Sequence, residues 1–286
     1  MFEFFILNMS VIPDWYTIAT FALLGGIIGS FLNVVAYRMH TGASLSGRSR
    51  CFSCGKVLSP WELVPFFSWL LQKGQCRDCG ARIPIRDFLV ESLTGAMFVW
   101  VLLTSDTALG LGLNLILVSL IVLVFIYDLV HMIIPDELVL LLLFLGLGNL
   151  LYIWLQVGSW ELITSHVYAA LVTVGILGSL WLVSHGRWIG LGDVKLILPL
   201  GLFLNISEAM SMVMLSFWIG ALVGVMLLIY PKAVYLYKRY TLGSVAKSAR
   251  YFTMKSEIPF APFILVAFWL VYLYDINVFD LFTYTI

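Results

Sequence analysis

The stretch LGLNLILVSLIVLVFIYD, residues 111–128, carries no charged side chain until its final aspartate. A helical apolar run of about twenty residues matches the ~30 Å hydrocarbon core of a bilayer. Similar runs recur along the 286-residue chain, which is 62% hydrophobic and 11% charged, with a mean hydropathy of +1.01. This composition predicts a protein embedded in a lipid bilayer. The formal net charge of zero gives no indication of a nucleic-acid partner, and we expect none.

The positive charges fall in three windows. Of the sixteen Lys and Arg residues, eight lie within 38–86, two are Arg187 and Lys195, and six lie within 232–255. Because cations flanking membrane segments favour the cytoplasmic side, we assign all three windows to the cytoplasm. Charges and apolar runs together predict an all-α polytopic transmembrane bundle with both termini on the opposite side. Its eight predicted spans are 14–37, 87–104, 111–128, 136–155, 162–184, 194–206, 211–230 and 258–275.

The first cationic window separates two apolar parts of the chain. We predict a first transmembrane segment at 1–37, a small cytoplasmic insert at 38–86 and a larger transmembrane domain at 87–286. In this arrangement only the insert is polar enough to fold in water.

All four cysteines lie in the insert, as CFSC at 51–54 and CRDC at 76–79. Two thiolates on one tight turn converge on a single ion, and a second such turn completes a tetrahedral site. The alternatives are two disulfides or four unrelated thiols, and the reducing cytoplasm disfavours disulfides. A site with four protein ligands is closed, so its metal holds the insert together rather than performing chemistry. The predicted ligands of a structural Zn²⁺ are Cys51, Cys54, Cys76 and Cys79.

Two aspartates stand at the edges of apolar runs, Asp128 in YDLVHMIIPD (127–136) and Asp193 in GLGD (190–193). The predicted topology places both at the cytoplasmic edge of the membrane, where an ionisable residue needs a function or a partner. Two carboxylates that share one proton divide into a base and an acid. Such a pair can activate a water and protonate a leaving amide nitrogen. We therefore interpret Asp128 and Asp193 as the catalytic pair of a peptide-bond hydrolase.

Each of these acids also has a simpler interpretation. Asp193 opens a predicted helix, where capping is common, and Asp128 taken alone is equally consistent with an interfacial side chain that reaches water. Asp136 follows Pro135 and opens a predicted span, and we interpret it as a helix cap.

The motifs of this chain resemble those of the prepilin peptidases, also called type IV leader peptidases, over nearly its whole length. YDLVHMIIPD and GLGDVKL resemble the two aspartate motifs of that family, in order. The other matching segments are GSFLNVVAYR at 29–38, PFFSWLLQKGQCRDC at 65–79, RIPIRDFLVESLTG at 82–95 and IPFAPF at 258–263.

This resemblance implies an intramembrane aspartyl protease of the GxGD type in the inner membrane of a bacterium. It implies that Asp128 and Asp193 are catalytic. The implied substrates are type IV prepilins and type II secretion pseudopilins, cleaved on the leader side of the hydrophobic helix that enters the bilayer.

The resemblance also implies N-methylation of the new amino terminus from S-adenosylmethionine. The sequence contains no glycine-rich nucleotide-binding loop after a strand, so the residues that bind the methyl donor stay unknown. Glu91, inside the second predicted span, is a candidate to hold an amine. Its alternative is a partner for Arg86 or for a neighbouring polar group.

Two other functions are compatible with paired aspartates. A protease like the signal peptide peptidases shares the YD and GxGD motifs, but the cysteine-bearing insert argues against it. An ion-coupled transporter using the aspartates as a proton relay is expected to show repeated halves or interrupted spans. No clear internal repeat is present, and both acids are predicted at one face of the membrane.

Overall fold

The computed structural model describes residues 14–41, 44, 47–242 and 258–279, with side chains at all of these except 40 and 230–242. These described residues contain nine α-helices, one short 3-10 helix at Pro60–Glu62 and no strand. The predicted all-α class is confirmed. The helices are α1 (Trp15–Thr41), α2 (Phe67–Leu71), α3 (Ile85–Thr104), α4 (Ala108–His131), α5 (Asp136–Val157), α6 (Trp160–Ser184), α7 (Leu191–Gly201), α8 (Ile206–Leu242) and α9 (Ala261–Tyr274).

Six of these helices are long and apolar enough to cross a membrane, which makes this a multi-pass membrane protein. Five of them are α1, α3, α4, α5 and α6, and the sixth is the first part of α8, Ile206–Ile229. They correspond to six of the eight predicted spans.

The other two predicted spans, 194–206 and 258–275, correspond to shorter helices. α7 has 11 residues and α9 has 14, so they are about 17 and 21 Å long, less than the hydrocarbon thickness. Pro199 lies inside α7 close to its end at Gly201, and proline removes a backbone donor that helix continuation needs. Of the eight predicted spans, these two are therefore shorter in the structure than the sequence indicated.

The described part of the last cationic window is helical and not a loop. α8 extends to Leu242, so residues 232–242 continue the helix of the preceding span. Residues 243–257, the remainder of the predicted cytoplasmic loop, lie outside the described part of the chain.

The chain divides into two compact units, Met1–His131 and Met132–Ile286. The first unit contains α1 to α4 together with the insert, and the second contains α5 to α9. The predicted functional division at residues 37 and 86 stays a prediction.

Small residues allow α1 and α3 to pack closely in the first unit. A Cβ atom placed on Gly25 would lie 2.7 Å from the carbonyl oxygen of Thr94 and 2.8 Å from Cα of Gly95. A Cβ placed on Gly95 would lie 2.9 Å from the carbonyl oxygen of Ala22. Membrane helices that approach each other this closely need small side chains at the crossing.

In the second unit, the short helix α7 is enclosed by α5, α6 and α9. Its side chains Leu196, Ile197 and Leu200 are fully buried. A cluster of Leu150, Ala170 and Leu202 covers its C-terminal end. This packing fixes the position of α7, whose first turn carries Asp193.

We expect Gly25→Ala to destabilise the first unit, because the added methyl group would overlap backbone atoms of α3 that cannot move aside independently. Overpacking of this kind costs about 1–3 kcal/mol. Thermal unfolding of the detergent-purified protein should therefore begin several degrees lower.

The control is Gly112→Ala on α4, where a Cβ meets no atom within 4 Å. That variant should unfold at the temperature of the unaltered protein or slightly higher. Equal melting of the two variants would contradict the close crossing.

Candidate functional site

The two cysteine pairs of the insert form matching turns. In the first, the N–H of Cys51 donates to the carbonyl of Lys56 (2.9 Å) and the N–H of Gly55 donates to the carbonyl of Cys51 (2.9 Å). A Cβ atom placed on Gly55 would meet no atom within 4 Å, so space does not require glycine there. Its φ of +74 does favour glycine, because other residues rarely adopt that backbone conformation.

The second turn repeats the first. The N–H of Cys76 donates to the carbonyl of Ala81 (2.8 Å), and the N–H of Gly80, with φ +69, donates to the carbonyl of Cys76 (3.0 Å). Single β-bridges, Arg50 with Val57 and Gln75 with Arg82, close the two turns. Each turn therefore presents its two thiols on one side.

The four predicted ligands come together. The sulfur atoms of Cys51, Cys54, Cys76 and Cys79 all lie within 4.8 Å of one another, and none forms a disulfide. The Sγ atoms of Cys51 and Cys79 are 3.8 Å apart. Four sulfurs placed tetrahedrally at ~2.3 Å from a zinc ion would be about 3.8 Å apart. The cluster can therefore hold a metal ion, and the predicted pairing of the two motifs is confirmed.

Charged side chains join the two turns. Nζ of Lys56, on the first turn, lies 2.6 Å from Oδ1 of Asp78 on the second and 3.3 Å from Oε1 of Glu62. Oε2 of Glu62 accepts from both the N–H and the hydroxyl of Ser59, each at 2.9 Å. These donors, with Lys56 nearby, lower the pKa of Glu62. Its stabilising contribution is therefore present above the ordinary glutamate pKa and is lost as the pH falls through the lowered value.

The first turn also favours the metal-binding form of its thiol. The backbone N–H groups of Cys54 and Ser53 lower the pKa of Cys51 to about 6. A thiolate, not a thiol, is the metal ligand. The backbone of the turn therefore prepares this residue to bind a cation.

A cavity of about 420 Å³ lies between the insert, α1 and α3. Its wall includes cations, carboxylates and aromatic rings, among them Arg38, Asp87 and Trp69. The side-chain amide of Asn33 also lines it, and both polar atoms of that amide are buried without a hydrogen bond from any described residue. Buried amides in proteins are normally hydrogen-bonded, so Asn33 marks a place where a polar ligand group can bind. The sequence offered a signal for it, since Asn33 is a polar residue inside an apolar span.

Asp128 lies near the C-terminal end of α4 in the first unit. It is only 5% exposed, and its Oδ2 atom is buried without a hydrogen bond from the residues that the structure describes. The interpretation of Asp128 as an interfacial side chain reaching water does not agree with this burial. A buried carboxylate oxygen without a donor is costly, and such groups concentrate at functional sites. The nearby His131 ring packs against Tyr127, with ring centroids 4.7 Å apart.

Asp193 lies in the first turn of α7 in the second unit, and it is 8% exposed. Its Oδ2 atom accepts a hydrogen bond from the N–H of Gly190 (3.2 Å). The simpler interpretation of Asp193 as the N-cap is wrong, because Gly190 occupies that position and Asp193 stands three residues further on, where its carboxylate accepts from the N-cap N–H. Capping accounts for one interaction of this carboxylate and does not exclude a catalytic role.

The interpretation of Asp136 as a helix cap is wrong. Pro135 occupies the N-cap position of α5, and no side-chain capping hydrogen bond forms there. Oδ1 of Asp136 instead lies 2.8 Å from Nζ of Lys195, on α7. The sequence could not show this ion pair, because its partners are 59 residues apart.

Glu91 is buried on α3, and its Oε2 atom accepts a hydrogen bond from the backbone N–H of Phe66 (3.0 Å). The alternative that Glu91 serves a neighbouring polar group is the one observed. Phe66 itself was not singled out by the sequence, because a phenylalanine in an apolar run carries no signal of an unusual backbone.

These observations define a class: a multi-pass helical membrane protein with a four-cysteine cluster in a polar insert and buried aspartates at helix ends. The profile described as the type IV leader peptidase family matches residues 115–225. The profile described as the bacterial peptidase A24 N-terminal domain matches residues 23–105.

Relatives named prepilin leader peptidase/N-methyltransferase are similar to most of the chain. The one from Dichelobacter nodosus is 32% identical over 90% of this chain and 92% of its own length. The one from Bacillus subtilis (strain 168) is 29% identical over 88% of this chain and 92% of its own length. For the relative from Myxococcus xanthus (strain DK1622), at 33% identity, the match covers 72% of this chain and 62% of the relative.

No solved structure gives a significant match. The chain belongs to the type IV leader peptidase family. A transporter and a protease like the signal peptide peptidases are not favoured by these matches.

We expect the insert to depend on its four thiols, because a segment this small has little apolar core. Elemental analysis of the purified protein should find about one metal ion per chain. Cys76→Ser should lose that ion and make residues within 47–84 much more sensitive to limited proteolysis.

Ser53→Ala alters the same kind of turn without removing a ligand atom, so it should keep the metal and the protease resistance. Unaltered protein without metal, or a Cys76→Ser variant that keeps it, would contradict the site.

Proposed function

We propose that this protein is a peptidase of the bacterial inner membrane that removes the leader peptide from type IV prepilins and type II secretion pseudopilins. Membership of the leader peptidase family supports this class of reaction. The observation that carries the chemistry is the buried Asp128 carboxylate, one oxygen of which has no donor among the described residues. In this proposal residues 87–286 form the peptidase part of the chain.

Asp128 and Asp193 act as an acid and a base that share one proton. The ionised carboxylate removes a proton from water, and the resulting hydroxide attacks the scissile carbonyl carbon. The protonated carboxyl group then gives its proton to the leaving amide nitrogen as the C–N bond breaks. One water is consumed, and the products are a free leader carboxylate and a new amino terminus. The shared proton returns to the pair for the next turnover.

The proposed cleavage position follows from the chemistry of the substrate. A basic leader stays in the cytoplasm, whereas the following hydrophobic helix enters the bilayer. Carboxylates at the cytoplasmic edge of the membrane would meet the peptide bond between these two parts. The backbone at Gly190 and Gly192 carries no side chain that would obstruct an approaching substrate backbone.

The metal proposed for the insert is a structural Zn²⁺. Four thiolates are a ligand set that zinc prefers, and they leave no open position for a reacting water. The metal would therefore hold the two turns together, and the Lys56–Asp78 ion pair would add to the same connection.

We expect Asp128→Asn or Asp193→Asn to lower the rate of prepilin cleavage by about 10²-fold or more, because neither carboxylate can perform both proton transfers. The double variant should be about as inactive as either single variant, since residues that act as a unit are not additive. The measurement is the fraction of a purified prepilin shortened at matched enzyme concentration in proteoliposomes.

Asp136→Asn is the matched control, because it removes a carboxylate of the same size. The exposed ion pair of Asp136 with Lys195 contributes little to stability. It should keep most of the activity, and all variants should keep the metal. Normal cleavage by Asp193→Asn would eliminate the aspartyl mechanism. Loss with Asp136→Asn but not with Asp128→Asn would move the first catalytic role to Asp136.

A second activity, N-methylation of the new amino terminus, is supported by the cavity beside the insert. S-adenosylmethionine, which supplies a methyl group to an amine, carries an ammonium, a carboxylate and a polar nucleobase on one small molecule. The cavity offers a complementary group for each: Asp87 for the ammonium, Arg38 for the carboxylate and the Asn33 amide for a base edge. Its volume of about 420 Å³ is within the usual range for small-molecule sites.

We expect Asn33→Ala to weaken S-adenosylmethionine binding about tenfold, a loss of ~1.4 kcal/mol, because a buried hydrogen-bonding amide would be removed. Equilibrium dialysis with labelled S-adenosylmethionine measures this directly, without any methyl transfer. Asn149→Ala on α5 of the second unit is the control and should bind normally. Unchanged affinity in Asn33→Ala would place the methyl donor elsewhere, whereas prepilin cleavage should be unaffected in both variants.

A further inference from the structure

One segment of the polar insert is apolar. Residues 63–71 read LVPFFSWLL and contain no charged side chain. Phe67, Leu70 and Leu71 are exposed by 55%, 55% and 74%. A contiguous apolar surface of this kind is unusual on a domain surrounded by water and indicates contact with a partner or a membrane.

Contacts with α1 and α3 give the depth of this segment. A Cβ atom placed on Gly26 would overlap the ring of Phe66 and lie 3.0 Å from Cβ of Pro65, and one placed on Gly95 would lie 3.0 Å from the same ring. Gly26 is near the midpoint of the span Trp15–Met39, and Gly95 is near the midpoint of Ile85–Thr104. The Phe66 ring therefore lies at the level of the middle of two membrane-spanning helices.

The backbone at Phe66 is not helical. Its φ is +62, a strained value for a residue with a side chain, and the N–H of Phe67 donates to the carbonyl of Pro65 (2.6 Å) to close a γ-turn. A non-helical backbone is tolerated at membrane depth only where the protein satisfies its hydrogen bonds. Glu91 does so here, since Oε2 of its carboxylate accepts from the N–H of Phe66 (3.0 Å).

The segment returns to polar surroundings on both sides. α2 follows the γ-turn and ends at Leu71, and the next residues are Gln72 and Lys73. Before the apolar run, Trp61 is highly exposed, a position typical of an aromatic ring at a membrane interface. The chain thus enters and leaves the apolar region on the side from which the insert projects.

We propose that residues 63–71 form a re-entrant segment inside the cytoplasmic half of the bilayer. Phe66 occupies the α1–α3 crossing, and Phe67, Leu70 and Leu71 contact lipid acyl chains. The occupant of this surface is lipid because the same two spans expose apolar side chains at the level of the Phe66 ring, Ile27 next to Gly26 and Leu93 two residues before Gly95. In this arrangement Glu91 is a positioning residue that holds the γ-turn at depth.

The experiment places a photoreactive phenylalanine analogue at single positions of the full-length protein, reconstituted in lipid nanodiscs without substrate. Illumination followed by mass spectrometry identifies lipid adducts at each position. The analogue at Leu71 should form adducts at a level within about twofold of the analogue at Leu93, which lies mid-span on α3. The analogue at Phe52, similarly exposed but on the first cysteine turn, should form at least about tenfold fewer, because water and not acyl chains surrounds that turn.

Adducts at Leu93 without adducts at Leu70 and Leu71 would overturn the proposal. A second reconstitution adds a prepilin to the nanodiscs. Adducts that shift there from lipid to the prepilin would also overturn the proposal, because they would assign the surface to a substrate helix. Retained metal in each labelled variant confirms that the insert is folded.

Glu91→Leu tests the positioning residue in the Leu71-labelled background. It leaves the N–H of Phe66 without its acceptor, so lipid adducts at Leu71 should fall severalfold. Glu91→Gln keeps a side-chain oxygen that can accept the same hydrogen bond, and it should restore them. Equal labelling in the leucine and glutamine variants would remove the role of Glu91.

Discussion

Hydrocarbon offers no hydrogen bonds, so a polar group placed in it is stable only when the protein supplies a partner. The six spanning helices meet this constraint for their own backbones. Side chains obey it as well: Thr94, buried where α1 and α3 cross, donates to the carbonyl of Val90 (2.7 Å), and Thr173 on α6 donates to the carbonyl of Ala169 (3.0 Å). Asn33 and Asp128 are among the few described side chains with a buried polar atom that has no hydrogen-bond partner, which makes them informative.

The insert needs other stabilising interactions, because a short polar segment buries little apolar surface of its own. Its two turns are formed by backbone hydrogen bonds and joined by the Lys56–Asp78 ion pair, and they bring together four thiols that could bind a metal ion. Phe66 helps to attach it to the helices of the same unit, because its ring contacts both α1 and α3. Attachment of the insert and close packing of these two helices are linked at Gly95, which permits the crossing and also makes room for the ring.

The sequence predicted correctly those features that a short stretch of residues determines. Span length and hydropathy predicted six helices, and the spacing of two CxxC motifs predicted a cluster whose members come from turns 25 residues apart in the chain. Both signals depend on composition and spacing within a short window. The limit of such signals appears at 194–206 and 258–275, where apolar composition suggested spans. There α7 ends at Gly201, two residues after Pro199, and α9 begins only at Ala261, after its N-cap Phe260.

The sequence was insufficient where the partner is distant. Asp136 looked like a cap because the residues beside it favour one, yet its partner Lys195 lies on another helix. The segment 63–71 was predicted as part of a cytoplasmic insert because cations flank it, and its proposed membrane depth rests on contacts with Gly26 and Gly95 that no local pattern shows. Domain division and the catalytic assignment of the aspartates stay predictions, since each depends on relations that local patterns do not fix.

The buried carboxylates provide the strongest physical distinction among the acidic residues. Among the residues that the structure describes, four carboxylates are buried: those of Glu62, Glu91, Asp128 and Asp193. Glu62 accepts from Ser59, Glu91 from Phe66 and Asp193 from Gly190, so each has a structural task. Asp128 differs, because its buried Oδ2 receives no such donor. This costly arrangement supports the proposed acid-base role of Asp128, because an acid that must exchange a proton with its reaction partner requires an oxygen left available for it.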